Sequence, residues 1–226
     1  GEMAAHSNLP NHPENLFLSF RSSSFGSGSH TLSDQNSFNL HFRGIPVYRS
    51  TGYYLNFYDP HNLLSYRHTR AHNTILVDGI GQPFSTKGYG KLVRMLNGQH
   101  ISYCLGDASN AYSGISEYPM WIKNFKASKV EQSVENGFGA TPLKKYRRHL
   151  FLLHPDIVVV YDELEADKPV RWDWLLHSPV QFTIHPKENL LTTTYPEKQF
   201  SSIAQLFSNS KCTITQTDQF VSPPDP

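Results

Sequence analysis

Cysteine is scarce in this chain of 226 residues, which contains only Cys104 and Cys212. Their spacing fits neither a zinc motif nor a redox motif, and the two thiols can pair with each other or stay free. Charge of one sign is also lacking: 20 Lys and Arg stand against 19 Asp and Glu, and the formal net charge is +1. This balance disfavours a protein that binds nucleic acid through bulk electrostatics, so any attraction to a polyanion must be local.

Long hydrophobic runs are absent as well. No apolar stretch approaches the length of a membrane span, so the sequence predicts no membrane partner. Residues 1–20 lack the basic start and the continuous apolar core of a signal peptide. No stretch has convincing helical periodicity over three turns or more, which argues against a helical bundle. Both ends of the chain are expected to be cut points within a longer protein.

What the sequence does contain is a series of short β-type segments separated by turn residues. The segment 74–77 ends at Asp78-Gly79, which favours a turn because glycine reaches positive φ freely. Residues 113–142 are less regular, and we expect an inserted loop there with at most one short helix. The predicted strands are residues 16–21, 37–42, 47–49, 74–77, 90–96, 99–106, 146–153, 156–164, 170–177, 180–184, 190–194, 200–207 and 212–217.

This pattern predicts an all-β protein, a large antiparallel β-sandwich (super-sandwich) of stacked sheets with little helix. Residues 1–15 are polar and contain Pro10 and Pro13, so we predict a linker or arm there. Residues 16–226 are predicted to form a single domain, since β-sandwiches of this size commonly fold as one unit.

The segment from Phe25 to Gln82 concentrates histidine, arginine and tyrosine on short strands and their loops. Such a concentration of titratable and aromatic groups is typical of a site for a polar ligand. Its motifs, in order, are Ser-His-Thr-Leu-Ser-Asp-Gln-Asn-Ser-Phe (29–38), Gly-Ile-Pro (44–46), Gly-Tyr-Tyr (52–54) and Thr-Arg-Ala-His-Asn-Thr-Ile-Leu-Val-Asp-Gly (69–79). Two further motifs follow, Gly-Asp-Ala-Ser-Asn-Ala-Tyr (106–112) and Arg-Arg-His-Leu-Phe-Leu-Leu-His-Pro-Asp (147–156).

This ordered set resembles the β-sandwich half of heparinase II/III-type polysaccharide lyases over most of residues 16–180. The resemblance implies the C-terminal domain of an exported bacterial lyase, periplasmic or secreted, that cleaves an acidic, uronate-containing glycan by β-elimination. Heparan, chondroitin, alginate and plant or algal uronates all remain open as substrates. The family also places a helical toroid before the sandwich, so the chain alone is expected to be inactive. A catalytically silent carbohydrate-binding or scaffold module is the alternative.

Lyases of this type must neutralise a uronate carboxylate, remove the neighbouring C5 proton and protonate the leaving oxygen. By resemblance, His30 matches the sandwich histidine that reaches into the cleft and shares this proton transfer. The other reading of His30 is a loop histidine bonded to its own turn. Asn36 is a candidate sugar contact, or an amide that fixes the backbone.

Tyr66, Arg67 and Arg70 form the best candidate anion site, because an arginine fork can bind a carboxylate or sulfate through two hydrogen bonds. If this segment is a strand, Tyr66 and Arg70 lie on one side and Arg67 on the other. Tyr112 either lines the cleft or anchors its loop through the hydroxyl. The basic run 144–149 is predicted to be an exposed sheet edge that discourages strand addition.

Relatives of the suspected family often hold a zinc ion in this sandwich, and the resemblance assigns its ligand positions to Leu32, Ser50 and His72. Only His72 can ligate zinc, which needs three or four N, S or O ligands. We therefore expect no metal there, unless His30, Asp34 or His68 substitutes from another direction, and we expect no other cofactor.

Overall fold

The structure is a computed structural model that describes residues 1–53 and 56–224. Within these residues it contains fifteen strands and one α-helix, and every strand pairing is antiparallel. This confirms the predicted all-β class. The strands are β1 Glu2–His6, β2 Leu16–Arg21, β3 Ser37–Phe42, β4 Ile45–Tyr48, β5 Ile75–Val77, β6 Lys91–Asn97, β7 Ile101–Asp107, β8 Ser113–Gly114, β9 Gly139–Ala140, β10 Leu143–Leu153, β11 Ile157–Ala166, β12 Trp172–Trp174, β13 Thr183–His185, β14 Leu190–Tyr195 and β15 Phe200–Gln205; the helix is α1 Pro119–Ala127.

The strands form several sheets around a shared core. Two sheets have four strands, in the orders β1-β2-β3-β4 and β11-β10-β7-β6, and a third has the order β13-β14-β15. Strand β12 pairs with β5, and β8 pairs with β9. Short turns of 3-10 helix occupy His12–Glu14, Thr69–Ala71 and Pro196–Lys198, and a π-helical turn occupies Asn62–Tyr66. No helix in the described part of the chain is long and apolar enough to cross a bilayer.

Alternating side chains build the main core. On β2 the buried residues are Leu16, Leu18 and Phe20, and they pack with Leu150 and Leu152 of β10 in one cluster. Each such side chain contributes about 1.5–3 kcal/mol when it leaves water. The two four-stranded sheets are therefore held face to face by the ordinary two-residue period of the strands.

A second cluster lies beneath α1. Trp121 and Phe125 are one turn apart, so they share a face of the helix, and both are buried. They pack against Leu63 of the π-helical turn and against Phe84 and Phe138. The helix begins at Pro119, whose fixed φ suits a first helical position. The predicted insertion therefore does contain one short helix, and this helix covers the turn that precedes the candidate anion site.

Arg148 on β10 is fully buried and connects three separate segments of the chain. Its Nε and Nη2 donate to the two carboxylate oxygens of Asp162 at 2.8 and 2.7 Å. Its Nη1 donates to the backbone carbonyls of Asn36, at 2.8 Å, and Asn73, at 2.7 Å. Opposite charge and full hydrogen bonding offset the cost of burying this guanidinium.

Three segments differ from the sequence expectation. Part of the predicted arm, residues 1–15, forms β1, because Met3 and Ala5 alternate into the core while the strand pairs with β2. Strand β10 lies between β11 and β7 rather than at an edge, so the basic run 144–149 does not protect a free edge. Residues 212–217 form no strand; they are mostly exposed and do not pair with any strand of the described residues. The prediction of one domain for residues 16–226 stays a prediction.

Arg148→Met should destabilise the fold strongly. The change leaves the carboxylate of Asp162 largely buried without its main partner, a loss of about 3–5 kcal/mol for a buried pair. Urea denaturation at neutral pH measures the free energy of unfolding. Arg147→Met is the matched control, because its side chain is 44% exposed and its pair with Asp107 should contribute about 1 kcal/mol or less. Equal losses in the two variants would contradict the role given to Arg148.

Candidate functional site

His30 lies on the exposed surface, in the loop between β2 and β3. Its Nδ1 lies 3.2 Å from the hydroxyl of Tyr53, and its ring meets the edge of Phe57 at a centroid distance of 5.1 Å. Only Nδ1 of this ring is hydrogen-bonded to the described residues, so Nε2 is the nitrogen left for a ligand. The imidazole is thus oriented by one hydrogen bond and one ring contact while it stays open to solvent.

Two guanidinium groups hold the loop that carries His30. Arg21, at the end of β2, donates to the carbonyls of Gly26 at 3.0 Å and Leu32 at 3.3 Å, and it forms an ion pair with Asp34. Arg67 donates from Nη1 to the carbonyl of Thr31 at 2.5 Å. The loop is therefore fixed on both sides of His30 by charge-assisted hydrogen bonds to its own backbone.

Residues 66–70 do not form a strand, so the predicted alternation of Tyr66, Arg67 and Arg70 is wrong. The π-helical turn Asn62–Tyr66 places the backbone N–H of Arg67 at 3.0 Å from the carbonyl of Asn62, and a 3-10 turn follows at Thr69–Ala71. As a result Arg67 is buried, whereas Tyr66 and Arg70 are half-buried. Packing of the turn beneath α1 outweighs the strand-like sequence pattern.

Arg67 lies in an aromatic enclosure. Its guanidinium carbon is 4.2 Å from the ring centroid of Trp121, 5.3 Å from that of Phe57 and 5.8 Å from that of Phe84. Burial lowers the pKa of Arg67 to about 10, so the side chain is still charged at neutral pH. The predicted contact of Arg67 with an acidic sugar stays a prediction, and the structure places its guanidinium behind the loop rather than on its surface.

Arg70 and His68 form a network of their own. The backbone N–H and Nε of Arg70 both donate to Nδ1 of His68 at 3.1 Å, so Nε2 of that ring carries the proton and donates to the Gly137 carbonyl at 3.0 Å. Gly137 has φ +86, and a Cβ there would collide with both side chains. Nη2 of Arg70 donates to the carbonyl of Asn136 at 2.6 Å. Burial lowers the pKa of Arg70 to about 10.

The residues at the suspected zinc positions do not fit zinc. His72 is buried, and its Nδ1 is 3.0 Å from the hydroxyl of Ser50, while Leu32 supplies no ligand. Burial, with a further contribution from the charges of Arg21 and Arg67, lowers the pKa of His72 to about 3. The positive charges of Arg21 and Arg67 would also repel a divalent metal ion at His72. Among the described residues no three His, Cys, Asp or Glu side chains form a metal-binding group.

Asn36 and Tyr112 are buried and bonded to the framework. The Asn36 amide donates to the carbonyls of Gly106 and Tyr146 at 3.3 and 3.4 Å. The Tyr112 hydroxyl donates to the Ile75 carbonyl at 2.6 Å, and burial raises its pKa. These contacts match the anchoring alternative for each side chain, and their contact with sugar stays a prediction.

Tyr53 is the member of the site that the sequence did not single out. It is 50% exposed and follows Gly52, whose φ is +137 and whose missing Cβ lets the ring of Tyr66 approach. The sequence signal for Tyr53 is the Gly-Tyr-Tyr motif, which contributes to the ordered set of motifs but does not by itself indicate a role for this tyrosine. Tyr54 of that motif, together with Leu55, lies outside the described residues.

A pocket of about 490 Å³ opens on the other side of the same loop. Ser27, Gly28 and Ser29 form one wall, and Phe84, Tyr118 and Pro119 contribute to the rest. Lys87 and Glu117 form an exposed ion pair among its lining residues. The loop with His30 is thus bordered by a recess in which polar and aromatic groups meet, as sugar sites require.

The sequence matches one family model, and the fold matches solved heparinase structures. A family model described as heparinase II/III-like, C-terminal, matches residues 4–221. No curated protein matches the chain. A crystal structure of a mutant heparan sulfate lyase from Pedobacter heparinus has a TM-score of 0.65 at 16% identity, covering 93% of this chain and 28% of that one. A crystal structure of heparinase III has a TM-score of 0.64 at 15% identity and the same two coverages, 93% and 28%. At these identities the likeness shows the fold alone, and the chain spans about a quarter of the length of both structures.

Three histidines, of which His68 and His72 are fully buried and His177 is half-buried, should make the fold sensitive to acid. Burial lowers the pKa of His72 to about 3, that of His177 to about 4 and that of His68 well below its usual value. Below about pH 6.5 the unfolded chain therefore binds protons that the folded chain does not, and the free energy of unfolding falls as the pH falls. The expected slope is up to about 1.4 kcal/mol per pH unit for each histidine.

Urea denaturation between about pH 7 and pH 4.5 measures this slope, a range set by the ordinary histidine pKa. His72→Gln removes one titrating group, so the slope should fall by about one proton. His100→Gln is the control, because His100 is exposed. An unchanged slope in His72→Gln would show that His72 does not titrate on unfolding.

Proposed function

The chain belongs to the heparinase II/III-like family, whose C-terminal domain it contains, and from this premise we propose that it is the β-sandwich part of a polysaccharide lyase. The proposed reaction is β-elimination in an acidic, uronate-containing glycan. The observation that carries the proposal is the exposed imidazole of His30, held at 3.2 Å from the Tyr53 hydroxyl on a loop fixed by two guanidinium groups. An exposed imidazole on an anchored loop, bonded to a tyrosine hydroxyl, suits proton transfer to or from a ligand.

In the proposed mechanism His30 moves a proton during the elimination. The C5 proton of a uronate leaves when a base takes it, and the bond from C4 to the leaving oxygen breaks when an acid protonates that oxygen. Tyr53 occupies Nδ1 of His30, so Nε2 is the atom that would exchange the proton with the glycan. The hydroxyl can donate to Nδ1 or accept from it, so it can hold the ring in either tautomer while the proton moves.

The charge beneath the loop supports an acidic substrate. Arg21, Arg67 and Arg70 lie in this region, and Asp34 is the carboxylate paired with one of them. The chain as a whole is nearly neutral, so the positive potential is local to this face. We propose that Tyr66 and Arg70, both half-buried, contact the glycan, while Arg67 holds the loop through the Thr31 carbonyl.

We propose a helical domain of the same protein as the partner that closes the cleft over His30. The chain spans only about a quarter of the matched lyase structures, and β-elimination needs more acid, base and neutralising groups than His30 and Tyr53 provide. Export to the periplasm or the exterior follows from this proposal, because acidic polysaccharides are met outside the cytoplasm. Zinc is not part of the proposed site.

His30→Ala in the full-length protein should lower kcat/KM by a factor of roughly 10² to 10⁴, the usual loss for an acid or base group. Formation of the unsaturated uronate product, followed by its ultraviolet absorbance, is the measurement. His100→Ala, another exposed histidine, should leave the rate unchanged. An active His30→Ala enzyme would remove this residue from the mechanism. A wild-type protein that binds uronate glycans but never releases unsaturated product would instead support a silent carbohydrate-binding module.

Tyr53→Phe keeps the ring and removes only the hydroxyl bonded to His30. Loss of one orienting hydrogen bond should reduce kcat/KM by roughly tenfold. It should also shift the limb of the pH–rate profile that His30 governs, which a purely structural role would not do. Tyr58→Phe is the matched control, since Tyr58 is 53% exposed. An unaltered pH–rate profile in Tyr53→Phe would contradict the pairing.

A further inference from the structure

Arg67 is a buried cation without a counterion. Its side chain is fully buried, and Nη1 donates to the carbonyl of Thr31. Within residues 1–53 and 56–224, its Nε and Nη2 have no hydrogen-bond partner. An unpaired buried charge is strongly unfavourable, so native proteins supply it with an opposite charge or a ligand.

The free part of the guanidinium is the part that binds anions. Nε and Nη2 project parallel N–H groups from one edge, the arrangement that holds a carboxylate or similar anion with two hydrogen bonds. The faces of the guanidinium are covered by the rings of Trp121, Phe57 and Phe84. Aromatic contact therefore orients the group and leaves this edge without a partner.

A second orphaned donor lies beside the first. The indole Nε1 of Trp121 is buried and also lacks a partner in the described part of the chain, and the ring is 4.2 Å from the guanidinium carbon of Arg67. Neither donor can bond to the other, because a guanidinium and an indole N–H only donate. An acceptor at the rim of this stack would satisfy the edge of Arg67 and receive the indole proton.

The surrounding charges favour an anion over a water molecule. Asp34 is the carboxylate that acts on Arg67 electrostatically, but it is already paired with Arg21, and Arg70 adds a further positive charge. His68 and His72 are neutral at physiological pH because burial lowers the pKa of each. A water molecule could accept the hydrogen bonds, but it would leave this excess of positive charge uncompensated.

We propose that Arg67 and Trp121 bind a small inorganic anion, chloride under ordinary conditions, as the buried counterion of the loop that carries His30. Both side chains are completely buried, so a polysaccharide cannot reach the free donors, and only a small ion is considered as their partner. The bound ion would hold Arg67, and Arg67 in turn holds the Thr31 carbonyl next to His30. This site is separate from the proposed glycan contacts and does not depend on lyase activity.

Thermal unfolding tests the proposal through linkage. At constant ionic strength, gluconate is replaced stepwise by chloride, and the wild-type Tm should rise with the logarithm of the chloride concentration. Arg67→Met should abolish this rise, whereas Arg94→Met, which removes an exposed arginine of β6, should keep it. Trp121→Phe retains the ring but lacks the N–H, so it should need several-fold more chloride for the same rise. Equal chloride responses in wild type and Arg67→Met would overturn the proposal.

Bromide gives a direct readout on the unaltered chain. Crystals of the wild-type protein soaked in bromide should show an anomalous peak at the Nε–Nη2 edge of Arg67. Anomalous density that is absent there while a water molecule fills the position would overturn the proposal, whatever the variants show. Because this measurement needs neither glycan nor turnover, its failure would be distinct from a failure of the lyase assignment.

Discussion

The buried pair of Arg148 and Asp162 sets the geometry on which the candidate site depends. Arg148 lies on β10 and Asp162 on the neighbouring strand β11, so the ion pair itself connects adjacent strands only. The other hydrogen bonds of Arg148 reach distant parts of the chain, because its Nη1 donates to the carbonyls of Asn36 and Asn73. Asn36 precedes β3 at the end of the loop with His30, and Asn73 follows the turns that carry Arg67 and Arg70. One guanidinium therefore fixes one end of each segment that forms the site, the loop that ends at Asn36 and the turns that end at Asn73.

Arg67 and Arg148 show how the same group serves two purposes in one molecule. Both guanidiniums are fully buried and stacked on aromatic rings. Arg148 is neutralised by Asp162, which raises its pKa, whereas desolvation without an equivalent partner lowers the pKa of Arg67. Burial and, after it, the charges of Arg21 and Arg67 lower the pKa of His72. The positive charges of Arg21 and Arg67 near His72 thus disfavour a divalent metal there, and the unpaired charge of Arg67 is the basis of the proposed anion site.

Sequence periodicity predicts much of the fold, but it predicts little of the candidate site. Strands β2 and β3 were predicted with their observed bounds, because alternation with bulky apolar residues is unambiguous there. The same alternation on β10, with Tyr146, Arg148 and Leu150 all facing inward, was obscured by the basic composition of the run. No local sequence pattern predicts that Arg148 will pair with Asp162, fourteen residues away. The turns at residues 62–71 were missed because packing against α1, not local propensity, decides their shape.

The manner in which the His30 loop is held has a consequence for its dynamics. Serine and glycine dominate residues 22–29, so the loop has little apolar surface to bury and depends largely on polar contacts. Carbonyls of Gly26, Thr31 and Leu32 bind guanidinium groups instead. Such bonds are directional and charge-assisted, so they can define the position of an exposed imidazole without enclosing it. The acid–base role proposed for His30 requires this combination, because a side chain that has to contact a polysaccharide must stay exposed while it is held in place. The excess of arginine under the loop is therefore explained by positioning before any contact with substrate is invoked.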